Sequence, residues 1–153
     1  MAISDYTPET REIQIVGKTS FSVKGVSLHE LSPLIRVHLP DLEQLFDIFE
    51  NLAEREKQNI PLVAGRVIAQ APGFAANLIA MCAGEPEAAP KVQQMPFPTQ
   101  VQALAAISEL TFTEVGGVKK GLEILASLIS KKGLSWWMTE GKKMAQKVNP
   151  KPQ

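Results

Sequence analysis

Apolar positions alternate through residues 11–26 and then recur every three or four residues, a pattern that predicts one short β-element followed by helices. Ile13, Ile15, Phe21 and Val23 sit on alternate positions of two segments, with Gly17-Lys18-Thr19-Ser20 as the predicted turn between them. An isolated two-stranded ribbon is marginal in water, so the helices that follow are its expected cover. Ser27-Leu28-His29-Glu30 has the spacing of a capping box, in which the serine hydroxyl accepts from the third amide and the glutamate reaches back. Pro33 leaves two starts open for that helix: after Ser27, with a proline in its interior, or after Ser32, with the proline at its favoured first position. Pro40-Asp41 opens a second helix, in which Leu42, Leu45, Phe46, Phe49, Leu52 and Ala53 form one stripe opposite Glu43, Asp47, Glu50 and Glu54.

Residues 61–83 are nearly free of charge, which predicts burial, and Pro72-Gly73 divides them into two helices. Residues 84–98 hold four prolines without periodicity and read as a long connection. A helix is expected from about Thr99 to Leu110. Thr113 then caps a last helix in which Val118, Leu122, Leu125 and Ile129 keep a 4-3-4 spacing, Ile124 and Leu128 widen the stripe, and Gly133 stops it. The fold class is therefore α+β and helix-dominated, an N-terminal β-hairpin followed by five or six α-helices. The expected organisation is a flexible stretch over residues 1–10, one domain over 11–133 and a Lys-rich tail over 134–153. The expected buried set includes Leu42, Leu45, Phe46, Phe49, Leu122, Leu125 and Ile129.

Composition narrows the class. At 153 residues, 44% hydrophobic and 21% charged, the chain has the makings of one globular core and lacks the profile of a disordered protein. Cys82 is the single cysteine, which excludes an intrachain disulfide and fits a reducing compartment. No apolar run reaches the roughly 18 to 20 residues of a membrane span, and the first residues lack the pattern of a secretory signal, so a soluble cytoplasmic protein is expected. The balanced total of sixteen basic and sixteen acidic residues hides a gradient. Residues 1–90 carry seven Lys and Arg against twelve Asp and Glu, whereas residues 91–153 carry nine Lys against four Glu. The lysines at 131, 132, 142, 143, 147 and 151 read as a solvated tail. A small DNA-binding regulator using that tail is the alternative function, but no arginine cluster or recognised nucleic-acid motif accompanies the lysines.

Candidate chemistry is sparse. His29 and His38 are the only histidines, and nine residues of ideal helix would turn them to opposite sides, so surface or capping roles are expected. The carboxylates of the second helix form a solvated stripe, Cys82 reads as a small buried side chain, and Gly116-Gly117 before Lys119-Lys120 as a helix entry. No nucleophile elbow, phosphate loop or zinc motif is present. The expectation is a protein with no catalytic, metal or cofactor site. Trp136-Trp137-Met138, beside Lys142 and Lys143, stands out in the tail as a candidate partner-binding anchor, because tryptophan buries a large area wherever it finds a surface.

Taken in order, several of these segments resemble the tail assembly chaperones of bacteriophages and prophages, the pre-tape-measure frameshift proteins. They are Phe21 to Leu31 at the hairpin exit, Val67-Ile68-Ala69, Phe97 to Leu104 leading to Leu110-Thr111, Gly116 to Lys120, and the helix ending near Ser130. The resemblance covers about residues 11–131 and consists of core, cap and turn residues. It implies a protein of the bacterial host cytoplasm that binds the tape measure protein, keeps it soluble, helps tail tube protein polymerise around it and is absent from the finished virion. It also implies a longer product made by ribosomal frameshifting, for which the codons of Lys131-Lys132 and Gly141-Lys142-Lys143 could encode slippery runs. The Trp136-Trp137 pair lies outside the resemblance, and self-association is a further expectation for that anchor.

Overall fold

A computed structural model describes residues 2–15, 17 and 19–112, with the side chains of Leu28, Phe46 and Phe49 outside the described set. The expected helix over 113–133, its stripe residues Leu122, Leu125 and Ile129, and the anchor Trp136, Trp137, Met138, Lys142 and Lys143 all lie outside the described residues. The chain begins with the predicted hairpin, β1 (Thr10–Ile15) antiparallel to β2 (Thr19–Lys24). Ile13 stands opposite Phe21 and Arg11 opposite Val23, so the alternating apolar positions share one face. Ile13 and Val23 are buried and Phe21 packs against the core, while Glu12, Gln14, Ser20 and Ser22 are exposed. The turn is shorter than expected. Matching Ile13 to Phe21 forces Ile15 against Thr19, which draws Thr19 and Ser20 into β2 and leaves Gly17, at φ 110°, in a left-handed conformation that glycine adopts without strain.

Of the two starts left open for the first helix, the earlier is realised: α1 (Leu28–Val37) contains Pro33. The capping box is complete, with Ser27 Oγ accepting from the Glu30 amide and Glu30 Oε1 accepting from the Ser27 amide, each at 3.2 Å. Leu31 and Ile35, four residues apart, point into the core and hold the helix through its proline. After His38 the chain enters α2 (Leu39–Glu50), which buries Leu42 and exposes Asp41, Glu43, Asp47 and Glu50. Three members of the expected stripe differ. Leu45 and Leu52 are only half-buried, because they stand at the rim of a cavity, and Ala53 is exposed, because α2 has stopped at Glu50 and the helical phase is lost. Glu54 accordingly opens a separate one-turn helix, α3 (Glu54–Lys57).

The charge-poor stretch forms α4 (Ile60–Gln70), capped by the Asn59 side chain on the Leu62 amide, and α5 (Pro72–Cys82). The axes bend by 117° at Ala71, and Pro72 sits in the first turn of α5, where its missing N–H costs no helical bond. Burial runs around most of α5, through Phe74, Ala75, Ala76, Leu78, Ile79, Ala80 and Cys82, which makes it the central element. The expected long connection is partly ordered: a 3₁₀ turn (Pro86–Ala88) and α6 (Ala89–Gln93) use Pro86 and Pro90 in their first turns, and Val92 is buried. Next, α7 (Phe97–Phe112) outruns the expected helix by two residues at each end. It lies against α4, α5 and both strands.

The hairpin is thus followed by seven α-helices among the described residues, α3 and α6 being the short ones that sequence periodicity does not reveal. Side chain and backbone both bind the hairpin to α7. Arg11 pairs with Glu109, the Val26 amide donates to Thr111 Oγ1 at 3.0 Å, and the Gly25 backbone comes so close that a Cβ there would meet Leu110 and Thr111 backbone atoms at 3.2 Å.

Candidate functional site

Among the described residues an apolar cavity is framed by α1, α2, α4, α5 and α7, with about 1080 Å³ of empty space, part of it open to solvent. Each helix supplies it by the same rule: apolar residues at helical spacing that outnumber what the core takes up. Ile35, Leu42, Phe74 and Ile107 form its buried floor. Leu45, Ile48, Leu52, Ile60 and Phe112 form its half-buried rim.

Among the described lining residues only Arg66, Ser108 and Thr111 carry polar side-chain groups. Ser108 Oγ donates to the Leu104 carbonyl at 2.9 Å, and Thr111 Oγ1 donates to Ile107 at 2.6 Å while accepting from Val26. Both hydroxyls are therefore committed to backbone, and Arg66 is exposed at the edge. What the cavity offers an occupant is apolar contact, selective for shape and hydrophobicity.

The residues considered for chemistry are dispersed. His29 is exposed on α1. His38 is at the C-cap of α1, as a capping role requires, but it is half-buried and serves as a clamp rather than a surface group. Its Nε2 lies 3.2 Å from Asn77 Nδ2 and its ring meets Phe74 edge-on with centroids 5.9 Å apart. Asn77 also donates to the Gly73 carbonyl at 2.9 Å, so this group pins the end of α1 to the first turns of α5. Cys82 is buried as expected, and burial pushes its thiol up to about 12, far from a reactive thiolate. Glu30 is a structural carboxylate. Partial burial works against its charge, but hydrogen bonds from Lys24 at 2.7 and 2.8 Å and from Ser27 outweigh that and hold it below the usual range. Among the described residues no three His, Cys, Asp or Glu side chains are grouped to hold a metal ion. Likewise no single described helix is long and apolar enough to cross a membrane.

None of the partner-binding candidates at 136–143 belongs to the described residues, whereas the rim residues Ile48, Ile60 and Phe112 were not singled out by sequence and Leu52 was read only as part of an apolar stripe. Their signal was available in part: Ile48 widens the apolar face of α2 beyond what one layer of packing needs.

A helix-dominated α+β domain with an apolar cavity between its helices is the class that fold and site define. The chain belongs to the pre-tape measure protein family, whose model matches residues 1–135. No curated protein and no solved structure matches it.

Proposed function

We propose that this protein is a tail assembly chaperone. It binds the tape measure protein in the host cytoplasm, keeps that protein soluble, lets tail tube subunits assemble around it, and leaves before the virion is complete. It is a binding protein without catalytic or cofactor chemistry. Family membership over residues 1–135 supports the tail assembly role, and the observation that carries the mode of binding is the apolar cavity whose two hydroxyls are committed to backbone.

A tape measure protein is long and helical, and its apolar stripes have nothing to cover them until the tube forms. An amphipathic segment laid into the cavity would bury one stripe, each fully buried Leu or Ile contributing about 1.5 to 3 kcal/mol. Trp136, Trp137 and Met138, with Lys142 and Lys143, supply a second contact in this reading, their aromatic area and positive charge supplementing the cavity.

Co-expression with the tape measure gene of the same phage tests the proposal. The tape measure protein should move from the insoluble to the soluble fraction and co-purify with this chain. Ile48→Asp, at the half-buried rim, should weaken recovery of the complex at least tenfold while leaving the circular dichroism spectrum unchanged. Equal insolubility of the tape measure protein with and without the chain, and no recovered complex, would sink the reading.

A further inference from the structure

His38 stands at the joint between α1 and α2. Its amide donates to the Leu34 carbonyl at 3.1 Å and closes α1, while its carbonyl accepts from the Leu42 amide at 3.1 Å and opens α2. Its ring crosses to a third helix. It lies against the first turn of α5, where Gly73 has no side chain to hold it off: a Cβ at that position would meet ring Cε1 at 3.3 Å and Nδ1 at 3.8 Å.

The protonation state of that ring follows from a chain of hydrogen bonds. A backbone carbonyl can only accept, so the 2.9 Å contact with the Gly73 carbonyl identifies the atom of Asn77 on that side as the amide nitrogen. The same nitrogen lies 3.2 Å from His38 Nε2. Its two hydrogens serve the two contacts, which makes Nε2 an acceptor and leaves the proton of a neutral imidazole on Nδ1. A second proton, arriving on Nε2, has no acceptor. With the amide as it stands, an N–H donor faces an N–H donor. With the amide rotated, Asn77 Oδ1 accepts from Nε2 but confronts the Gly73 carbonyl, acceptor against acceptor. Either way one of the two bonds is lost.

The surroundings offer an imidazolium no buried counter-charge. Among the described residues α5 carries no acid, lysine or arginine, and its one titratable group is the Cys82 thiol at the far end. On the two helices that meet at His38, Glu30 is engaged by Lys24 and Ser27, whereas His29, Arg36, Asp41, Glu43, Asp47 and Glu50 are all exposed.

We propose that His38 is a proton-sensitive latch: neutral, it fastens the joint of α1 and α2 to α5, and protonated, it releases that joint. The latch bears on the cavity, because Ile35 of α1, Leu42 of α2 and Phe74 of α5, whose ring His38 meets edge-on, all line it. Acid therefore loosens the place where three of the cavity's helices come together. The proposal stands independently of the function proposed above.

The full-length protein tests it. Nitrogen-15 spectra at about pH 7.5 should show His38 with Nδ1 protonated and Nε2 bare, and the opposite tautomer would overturn the proposal. From about pH 7.5 to about 5.5, across the ordinary titration of imidazole, the unfolding equilibrium constant of the wild type should rise at least threefold more than that of His38→Gln, whose amide oxygen accepts from Asn77 without titrating. An equal rise in both proteins would sink the idea. Amide exchange at His38 and Leu42, corrected for the intrinsic effect of pH, should accelerate at least threefold over that of the hairpin; a uniform acceleration would show general loosening and no latch. Asn77→Asp keeps the question decidable if the glutamine variant fails to fold. Its carboxylate accepts from the imidazolium, so acidification over the same range should favour its folded state relative to wild type, and a response of unchanged sign and size would overturn the proposal as well.

Discussion

Three positions show how single residues hold this fold, each with its own measurable consequence. Gly25 is required by contact rather than by conformation: the atoms that a side chain would strike belong to the backbone of α7, which cannot step aside as a flexible side chain would. Gly25→Ala should therefore cost about 1 to 3 kcal/mol in urea unfolding, as overpacking does, and loss of less than a few tenths would show that α7 yields. Cys82, buried in the core, should resist a thiol reagent at pH 8 in the native protein and react fully once unfolded. Its raised value also sets a sign. The folded state retains the proton that the unfolded state releases, so this contribution to stability is complete below about pH 9, the ordinary thiol value, and is lost as pH rises toward about 12. Glu30 has the opposite sign. Its lowered value means that its contribution is present above the unfolded carboxylate range and disappears as pH falls through the folded value. Glu30→Gln should cost roughly 1 kcal/mol near neutrality, through loss of the charged pair with Lys24 while the amide oxygen still accepts from the Ser27 amide, and should flatten the acid limb of the stability profile.

At the level of elements, α5 carries the core. It touches α1, α4, α6, α7 and β2, and Ile79 at its centre has no exposed surface. Ile79→Ala should cost about 2 to 5 kcal/mol, and a chemical melt that shifts by less than about 1 would mean that the surrounding helices collapse into the void. By contrast α2 is amphipathic, with a core residue at Leu42 and cavity residues at Leu45 and Ile48. Sequence pattern placed Leu42 and Leu45 on one buried stripe because periodicity reports which side of a helix is apolar. Whether a core or a cavity lies opposite depends on how far away the next helix is. The same limit explains α3 and α6. A single turn contains too few residues to show a period, and Pro86 and Pro90, read as breakers, are in fact at first-turn positions where proline is tolerated.

For the whole molecule, charge and apolar surface are unevenly divided. Residues 113–153 hold eight lysines against three glutamates, while the described part carries the acidic face of α2.

Local signals in the chain were enough to determine the hairpin, the capping box at Ser27, the division at Pro72 and the central burial of residues 61–83, because each rests on neighbours within a few positions. The family was also legible, in the order of those same segments, and the match over residues 1–135 bears it out. Tertiary structure alone decided the hairpin register that shortened the turn, the place of His38 between α1 and α5, the approach of Gly25 to α7, and the cavity itself. These depend on distances between residues far apart in the chain, such as Val26 and Thr111 or Leu42 and Ile107. A pattern of polar and apolar positions states what a surface wants to cover it, but only packing in three dimensions decides which surfaces remain uncovered.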